Sequence, residues 1–255
     1  MKLLAFDTST DRMDIAVQHG DQLLTHSAAG GALASTGLLP AILQLIAEAG
    51  LAFSQLDAIV FGQGPGSFTG LRTACSVAQG LAFAADVPVL PVSTLLAIAQ
   101  SAYTVHTATT SADADKAPTK ICAALDARMG EIYYQYYEFN SCLRNIDGGL
   151  RLNLPQNMVL EADFDNCLLA GNVRPVYDAQ LPPAVLRAPY LHCLPTAQAL
   201  LQLAPTLLAA GHGVAAQDAL PLYMRDKVAF TTLERAATAH AAAQHAAAPT
   251  LTTPA

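Results

Sequence analysis

Few residues of this chain are charged, and its cysteines form no recognisable pair. Only 13% of the 255 residues are charged whereas 53% are hydrophobic, which excludes a disordered chain and allows a sizeable core. The five cysteines are scattered without a C-x-x-C pair: Cys75, Cys122, Cys142, Cys167 and Cys193. The sequence therefore predicts reduced, mostly buried thiols, as is typical of a cytoplasmic protein.

Membrane, targeting and nucleic-acid signals are also weak. No uninterrupted apolar run reaches the ~18–20 residues that span a bilayer, and the first strand begins without the apolar region of a signal peptide. The net charge is −7, with 13 basic against 20 acidic residues and no basic run. Direct binding to an anionic membrane surface or to nucleic acid is therefore not expected.

Metal ligands and catalytic nucleophiles are not recognisable either. The seven histidines show no ligand spacing, so neither a metal nor a cofactor is predicted. Ser9, Ser67 and Cys75 are conceivable nucleophiles, but no base lies nearby in sequence and G-x-S-x-G is absent. A helix cap at Ser67 and a core thiol at Cys75 are the better interpretations.

A glycine-rich turn is the most informative stretch that the chain does contain. Gly62–Arg72 lies between an apolar strand and the start of a helix, where a backbone can approach a phosphate, another backbone or another helix. No lysine follows the glycines, so the turn is not a Walker-type nucleotide loop. Ser67 or Thr69 is predicted to cap the helix.

Hydrophobic periodicity predicts a mixed α/β organisation for the first hundred residues. A meander of three strands precedes alternating helices and strands, which favours a five-stranded sheet with helices on its faces. The predicted strands are Lys2–Phe6, Met13–Gln18, Gln22–Ser27, Asp57–Phe61 and Val87–Val92; the helices are Ser35–Ala49, Thr69–Ala85 and Thr94–Ser101.

The second half repeats the opening of the first. Lys120–Leu125 and Glu131–Phe139 flank a turn that starts at Asp126, just as the first two strands flank a turn that starts at Asp7. This repeat predicts two related lobes that face a cleft. The expected boundaries are a first lobe over 1–103, a polar insertion over 104–119, a smaller lobe over 120–228 and an Ala/Thr-rich tail over 229–255.

Four motifs, in this order and spacing, resemble one family. Leu4–Thr10 is similar to the opening phosphate-loop strand of the actin/Hsp70/sugar-kinase superfamily. Gly64–Arg72, Leu125–Tyr133 and Pro221–Arg225 resemble motifs of the bacterial tRNA threonylcarbamoyladenosine biosynthesis proteins, TsaB. The resemblance covers about residues 1–226 and implies two actin-like (ASKHA, RNase H-like) lobes. One departure is Ala34–Gly37, where the family usually has a more polar motif.

The resemblance implies a non-catalytic partner subunit in the cytoplasm. Members pair with the catalytic paralogue TsaD and act with the ATPase TsaE to modify the adenosine next to the anticodon, in tRNAs that read codons beginning with A. In TsaD the corresponding helix carries a His-x-x-x-His metal site, whereas Ser93–Ala99 contains no histidine here. The alternative is a stand-alone ATP-dependent small-molecule kinase of the same superfamily.

A cleft between the lobes is expected to be degenerate. Asp7 and Asp126 match the carboxylates that handle Mg²⁺ and phosphates in the superfamily, and Thr8, Ser9 and Thr10 offer hydroxyl donors. Ser9 and Ala127, however, replace phosphate-loop glycines, and a side chain there restricts backbone approach to an anion. A working ATPase site is not expected, and Asp7 is interpreted as a turn-capping carboxylate.

The first two helices are predicted to bind a partner chain, either TsaD or a second copy. Both carry apolar or small residues on more than one face, although packing on a sheet needs only one. Gly80 costs about 1 kcal/mol within a helix, which a close approach would offset. The predicted contact residues are Leu38, Leu39, Ile42, Leu45, Arg72, Thr73, Ser76 and Gly80.

Overall fold

The first sheet has five strands. It is seen in a computed structural model that describes residues 1–109, 120–140, 142–145, 149–160 and 167–224. The strands are β1 (Lys2–Asp7), β2 (Arg12–His19), β3 (Gln22–Ala29), β4 (Ala58–Gly64) and β5 (Val89–Ser93). Their order in the sheet is β3-β2-β1-β4-β5. Three antiparallel strands thus lead into two parallel ones, as the sequence predicts.

Two long helices cover one face of this sheet. They are α1 (Ala34–Glu48) and α2 (Phe68–Ala85), and both have apolar residues at helical spacing. Their inner sides pack on the strand residues that point the same way, including Leu4, Phe6 and Ile15. Asp86 ends α2 in a left-handed conformation.

The opposite face of the first sheet is covered by a helix that follows the second sheet in the sequence. Helix α6 (Ala197–Ala209) begins at Thr196, whose hydroxyl accepts a hydrogen bond from the Ala199 amide. Its apolar side packs on Leu3, Ala5 and Val60 of the sheet. The second lobe predicted from the sequence, residues 120–228, therefore contains a helix that packs in the core of the first lobe.

The second sheet repeats the topology of the first. Its strands are β6 (Lys120–Arg128), β7 (Glu131–Asn140), β8 (Cys142–Asn145), β9 (Arg151–Asn153), β10 (Leu168–Gly171) and β11 (Tyr190–His192). The order β11-β10-β6-β7-β8, with β9 also on β7, matches the first sheet when both are read from the equivalent edge. Two lobes of related mixed α/β topology are therefore confirmed.

Helices in the second half are mostly short. Helices α4 (Val173–Tyr177) and α5 (Pro183–Arg187) each have five residues and contribute to the core of this sheet. Helix α3 (Thr94–Thr109) joins the halves and packs on β4, β5 and β6.

The end of the described chain returns to the first lobe as a strap, residues 214–223. Val214 forms an antiparallel bridge with Val89, beside the edge strand β5. Farther along, Ala219 O accepts hydrogen bonds from Cys75 Sγ and Gln79 Nε2 of α2. The Leu222 amide then donates to Gln63 O at 2.7 Å. The strap thereby connects β5, β4 and α2.

The predicted start of the insertion needs correction, whereas the rest of the insertion and the tail are not tested. Helix α3 continues to Thr109, so the predicted insertion starts inside a helix; Tyr103 stacks on Phe139 at 4.1 Å, and Thr104 hydrogen-bonds Gln202. The remaining insertion residues 110–119 and the tail over 229–255 lie outside the described residues.

Within the described residues, one helical stretch is long and apolar enough to cross a membrane by length and composition alone. An 18-residue window over Gly31–Glu48 has a mean hydropathy of 1.4. Its inward residues, however, lie in the core of the first lobe, so here it serves as a core helix of the sheet.

Candidate functional site

The glycine-rich turn brings three backbone segments together. A Cβ on Gly70 would overlap the carbonyl oxygen of Thr8, and one on Gly66 would lie 2.6 Å from Ser9 O. Gly64 has φ of +117°, and a Cβ there would lie 2.8 Å from Leu222 O in the strap. The sequence left three roles for the glycines: the approach of a phosphate, of another backbone or of another helix. The structure shows that they permit the close approach of one backbone to another.

Ser67 occupies the N-cap position of α2, but its side chain makes no capping hydrogen bond. Its backbone amide instead donates to Ser9 O at 2.7 Å, and its carbonyl accepts from the Leu71 amide. The predicted side-chain cap at Ser67 is therefore wrong, and Ser67 instead joins the neighbouring loop to the start of α2 through its backbone.

Asp7 is a buried carboxylate with only one satisfied oxygen. Its Oδ1 accepts from the Ser9 amide at 2.8 Å and the Ser9 hydroxyl at 2.6 Å, so the turn-capping interpretation is correct. Its Oδ2 is buried without a hydrogen-bond partner. Burial raises the pKa of Asp7 from 3.8 to about 6, opposed by the hydrogen bonds from Ser9.

The three hydroxyl groups predicted to face a phosphate are used within the loop. Thr8 donates to Gly70 O, Ser9 donates to Asp7, and Thr10 exchanges hydrogen bonds with the Arg12 backbone. The loop thus supports its own conformation, and its hydroxyls are not pre-oriented toward a ligand.

A small cleft does lie between the two Asp-containing turns. Its volume is about 130 Å³, below the ~300–1,000 Å³ of typical small-molecule sites. The lining includes Ser9, Thr10, Ser67 and Asp126, but neither Asp7 nor Thr8. The two predicted carboxylates therefore do not meet in one cavity.

Asp126 is held by several groups. Its Oδ1 accepts from the Arg128 amide and the Tyr177 hydroxyl, while Oδ2 lies 3.4 Å from the Arg128 guanidinium. The Asp126 amide donates to Asn172 Oδ1. Asn172, which follows Gly171, thus positions this turn rather than standing open to a nucleoside.

No cluster of three potential metal ligands is found within the described residues. Helix α3 contains one histidine, His106, which lies beyond the predicted end of this helix at Ser101. A single histidine does not make the His-x-x-x-His pair expected of the catalytic paralogue. Cys75 is a buried core thiol, as predicted, and its burial raises its pKa.

The predicted partner surface needs correction on α1. Leu38, Ile42 and Leu45 are 0%, 0% and 5% exposed and pack in the first-lobe core, so a partner cannot contact them. The prediction is wrong for these three residues because they form the single stripe with which α1 packs on its own sheet. Leu39, at 42% exposure, is on the other side.

An outer face remains on α1 and α2 after this correction. We call it the α1–α2 face and define it by outward residues, exposed or partly so: Ser35, Leu39 and Leu43 of α1 with Thr69, Arg72, Thr73, Ser76, Gly80 and Phe83 of α2. Leu43 is 50% exposed and Phe83 80%. Exposed apolar residues grouped in this way are typical of an interaction surface.

Arg72 stands at the edge of this face within an aromatic cluster. Its guanidinium lies 3.8 Å from the Phe68 ring centroid, and its Nε donates to Tyr223 Oη at 3.0 Å. Phe68 and Tyr223 also contact each other, at 5.3 Å between centroids. The motif around Tyr223 therefore holds a residue of the α1–α2 face in place.

Phe83 and Leu43 were missed by the sequence reasoning. Phe83 follows Gly80 by three residues, which places both on one side of α2. That spacing was available in the sequence, but no pattern distinguishes an outward phenylalanine from a core one before the packing is known.

Comparison with known proteins gives relatives whose names refer to threonylcarbamoyladenosine in tRNA. A family model described as TsaD, tRNA N6-adenosine threonylcarbamoyltransferase, matches residues 32–155. The tRNA threonylcarbamoyladenosine biosynthesis protein TsaB of Haemophilus influenzae is 30% identical over 246 residues, which covers 91% of this chain and 97% of that protein.

Two further similarities agree with these. The tRNA N6-adenosine threonylcarbamoyltransferase of Nitrosospira multiformis is 41% identical over 107 residues, 35% of this chain and 31% of that protein. The solved structure of YeaZ from Pseudomonas aeruginosa superposes with a TM-score of 0.76 at 38% identity, covering 88% of this chain and 99% of that one. With the repeated lobes and the four motifs, these matches show that the chain belongs to the family of tRNA threonylcarbamoyladenosine biosynthesis proteins TsaB.

Proposed function

We propose that this chain is a non-catalytic subunit of the machinery that forms threonylcarbamoyladenosine in tRNA. Its TsaB relationship carries the link to that pathway. The α1–α2 face supports a partner role, because this face exposes Leu39, Leu43 and Phe83 on two helices whose other sides are already packed.

The proposed partner is a TsaD-like catalytic paralogue, with a TsaE-like ATPase acting on the resulting complex. Similarity to the threonylcarbamoyltransferase over residues 32–155 supports a shared architecture between this chain and such a paralogue. Residues of α1 and α2 lie inside that range. The first lobe of this chain and the related lobe of the paralogue can thus pair through similar helical faces. The same face is also proposed to support a homodimer.

The small cleft favours the partner role over the kinase alternative. At about 130 Å³ it is below the usual size of a small-molecule site, and the nearby hydroxyls of Thr8, Ser9 and Thr10 already have partners. Recognition of tRNA is assigned to the paralogue, since this chain is acidic. The complex is proposed to act in the cytoplasm.

Reconstitution tests this proposal. Threonylcarbamoyladenosine formation on tRNA is measured with the TsaD-like and TsaE-like proteins of the same cell, with and without this chain. We expect product only when the chain is present, and co-elution of the chain with the TsaD-like protein. Full activity without it, or ATP-dependent phosphorylation of a small molecule by the chain alone, would reject the role.

A matched pair of variants locates the surface. Leu39→Glu places a charge on the α1–α2 face, and we expect co-elution with the TsaD-like protein to weaken by at least tenfold. Val159→Glu is the control, because Val159 is 62% exposed but lies in the second half. Both should retain the native circular dichroism spectrum. Equal pairing by the two variants would place the contact elsewhere.

A further inference from the structure

Arg72 is the single charged residue among those that define the α1–α2 face. In the chain alone it is exposed to water, and among the described residues no carboxylate forms an ion pair with it. Burying a cation without a counterion is costly, because burial removes its hydration. A chain that covers this face must therefore either leave Arg72 in water or bring an anionic group to it.

A cavity of about 470 Å³ near the start of α2 gives such a group room beside Arg72. Its remaining lining residues are uncharged: Ser35, Phe68, Thr69, Thr73, Ser76 and Val77. The hydroxyls of Ser35 and Thr73 already donate to backbone carbonyl oxygens, those of Ala32 and Thr69. The guanidinium is therefore the strongest hydrogen-bond donor that this cavity presents to an anion.

Two aromatic residues hold the Arg72 guanidinium in place. Its central carbon lies 3.8 Å from the Phe68 ring centroid and 6.0 Å from that of Tyr223, and its Nε donates to Tyr223 Oη at 3.0 Å. The N–H groups of the two terminal nitrogens are not used in these contacts, and no described residue accepts a hydrogen bond from them. Two such nitrogens form the planar fork that binds both oxygens of a carboxylate.

Tyr223 is in turn fixed by the strap. One residue earlier, the Leu222 amide donates to Gln63 O at 2.7 Å. This approach depends on Gly64, since a Cβ there would lie 2.8 Å from Leu222 O. The glycine-rich turn and the strap together thus bring the Tyr223 hydroxyl to Arg72 from outside α2. Because the guanidinium is oriented before any partner arrives, less conformational entropy is lost when an ion pair forms.

We infer that Arg72 binds a carboxylate of the partner chain in this cavity and that Tyr223 is a positioning residue for that ion pair. The inference rests on the proposed pairing with a TsaD-like paralogue and names what this partner supplies, an Asp or Glu side chain. Charge complementarity favours the paralogue as its source. A second copy of the same face would bring another arginine and no carboxylate.

Isothermal titration calorimetry of the full chain with the TsaD-like protein tests the ion pair. Arg72→Ala should raise the dissociation constant by about tenfold or more, because the carboxylate of the partner loses its counterion. Arg72→Lys should recover only part of this loss, since an ammonium group keeps the charge but lacks the planar fork. Val159→Ala, in the second half, is the control and should change nothing. With native circular dichroism spectra throughout, an unchanged constant for Arg72→Ala would overturn the inference.

A double-mutant cycle tests the positioning role of Tyr223. Tyr223→Phe keeps the ring and removes only the hydroxyl that accepts from Arg72 Nε. This change should raise the dissociation constant by about threefold to tenfold when Arg72 is present. In the Arg72→Ala background it should have no further effect, because Tyr223 acts through Arg72. Equal losses in both backgrounds would show that Tyr223 does not act through Arg72.

Carbodiimide cross-linking identifies the source of the anion. The reagent joins an amine to an adjacent carboxylate, and Arg72→Lys introduces an amine into the cavity. Mass spectrometry of the saturated complex should find position 72 joined to an Asp or Glu of the TsaD-like protein, whereas position 159 of Val159→Lys should give no such link. A complex without the link at position 72 would overturn the assignment. Binding of inorganic phosphate by the isolated chain that Arg72→Ala abolishes would also overturn it.

These measurements separate the inference from the proposed function. No binding of the wild type to the TsaD-like protein would reject the proposed pairing itself. Binding of the wild type that Arg72→Ala leaves unchanged would overturn only the inference. Binding that requires Arg72, together with threonylcarbamoyladenosine formation that does not require this chain, would reject only the proposed function.

Discussion

Asp7 and Asp126 end equivalent strands of the two lobes yet have different surroundings. Asp7 is 1% exposed, and one of its oxygens has no partner. Asp126 lines the cleft, and its oxygens contact Tyr177 and Arg128. The repeated topology therefore preserves the position of the carboxylate without preserving one chemical role for it.

The helices of the two lobes also differ, in their length. Helices α1 and α2 have 15 and 18 residues, whereas α4 and α5 have 5 each. A long helix packs one stripe on its sheet and leaves another outward, while a helix of barely more than one turn offers little outward surface. The comparison favours the first lobe as the location of the proposed contact surface.

The largest expected effect separates the two sides of α1. Leu38→Ala should lower the free energy of unfolding by about 2–5 kcal/mol, because Leu38 is fully buried in the first-lobe core. Leu39→Ala should change it by less than about 0.5 kcal/mol, because Leu39 is exposed. Urea denaturation of the isolated chain measures both, and similar losses would mean that α1 is rotated from the orientation described.

Replacing Asp7 tests the contrast between the two carboxylates. A buried group whose pKa rises from 3.8 to about 6 destabilises the fold when ionised, by about 3 kcal/mol. Asp7→Asn should therefore increase the free energy of unfolding at pH 8 by an amount of that order. Asp126→Asn should bring no such gain, because the charged carboxylate there has an arginine and two hydrogen-bond donors.

The free energy of unfolding should depend on pH in a direction set by the raised pKa of Asp7. The stability that protonated Asp7 contributes is fully present below pH ~3.8 and is lost as the pH rises through about 6. The gain of Asp7→Asn over the wild type should therefore appear between these values and stay constant above pH ~7. Thermal unfolding over a pH series checks this, and a gain that is equal at pH 4 and pH 8 would contradict it.

The smallest expected effect concerns Gly80. Gly80→Ala should raise the free energy of unfolding of the monomer by about 0.5–1 kcal/mol, because an added Cβ meets nothing and alanine favours the helix. The same change should weaken association at the α1–α2 face, because the added Cβ obstructs a close approach of a partner helix there. Gains in both stability and association would show that Gly80 is not at a helix–helix contact.

Much of the fold was predictable because both lobes have strong local signals. The strand pairs around Asp7 and Asp126 follow from alternation and turn residues, and the observed antiparallel pairing agrees with them. The placement of α6 on the first sheet was not predictable, since its apolar stripe identifies a buried side but not the sheet that buries it.

The candidate surface was only half predictable for a related reason. Helix α1 has apolar residues on two sides, although only one side is needed to pack on the sheet. The sequence does not show which of the two sides packs on the sheet and which faces outward. Leu38 and Leu39 are adjacent and chemically identical, and only packing on β1 and β2 assigns them to opposite sides. The contact of Arg72 with Tyr223 joins residues 151 positions apart, beyond the reach of local patterns.

The position of α6 bears on how the chain folds as it leaves the ribosome. The last strand of the first sheet ends at Ser93, whereas the helix that covers its second face starts at Ala197. At the usual ~5–20 residues per second, the ~100 intervening residues take about 5–20 s to synthesise. During that interval Leu3, Ala5 and Val60 lack their permanent cover, so the nascent first lobe offers a hydrophobic surface to chaperones until α6 has been synthesised.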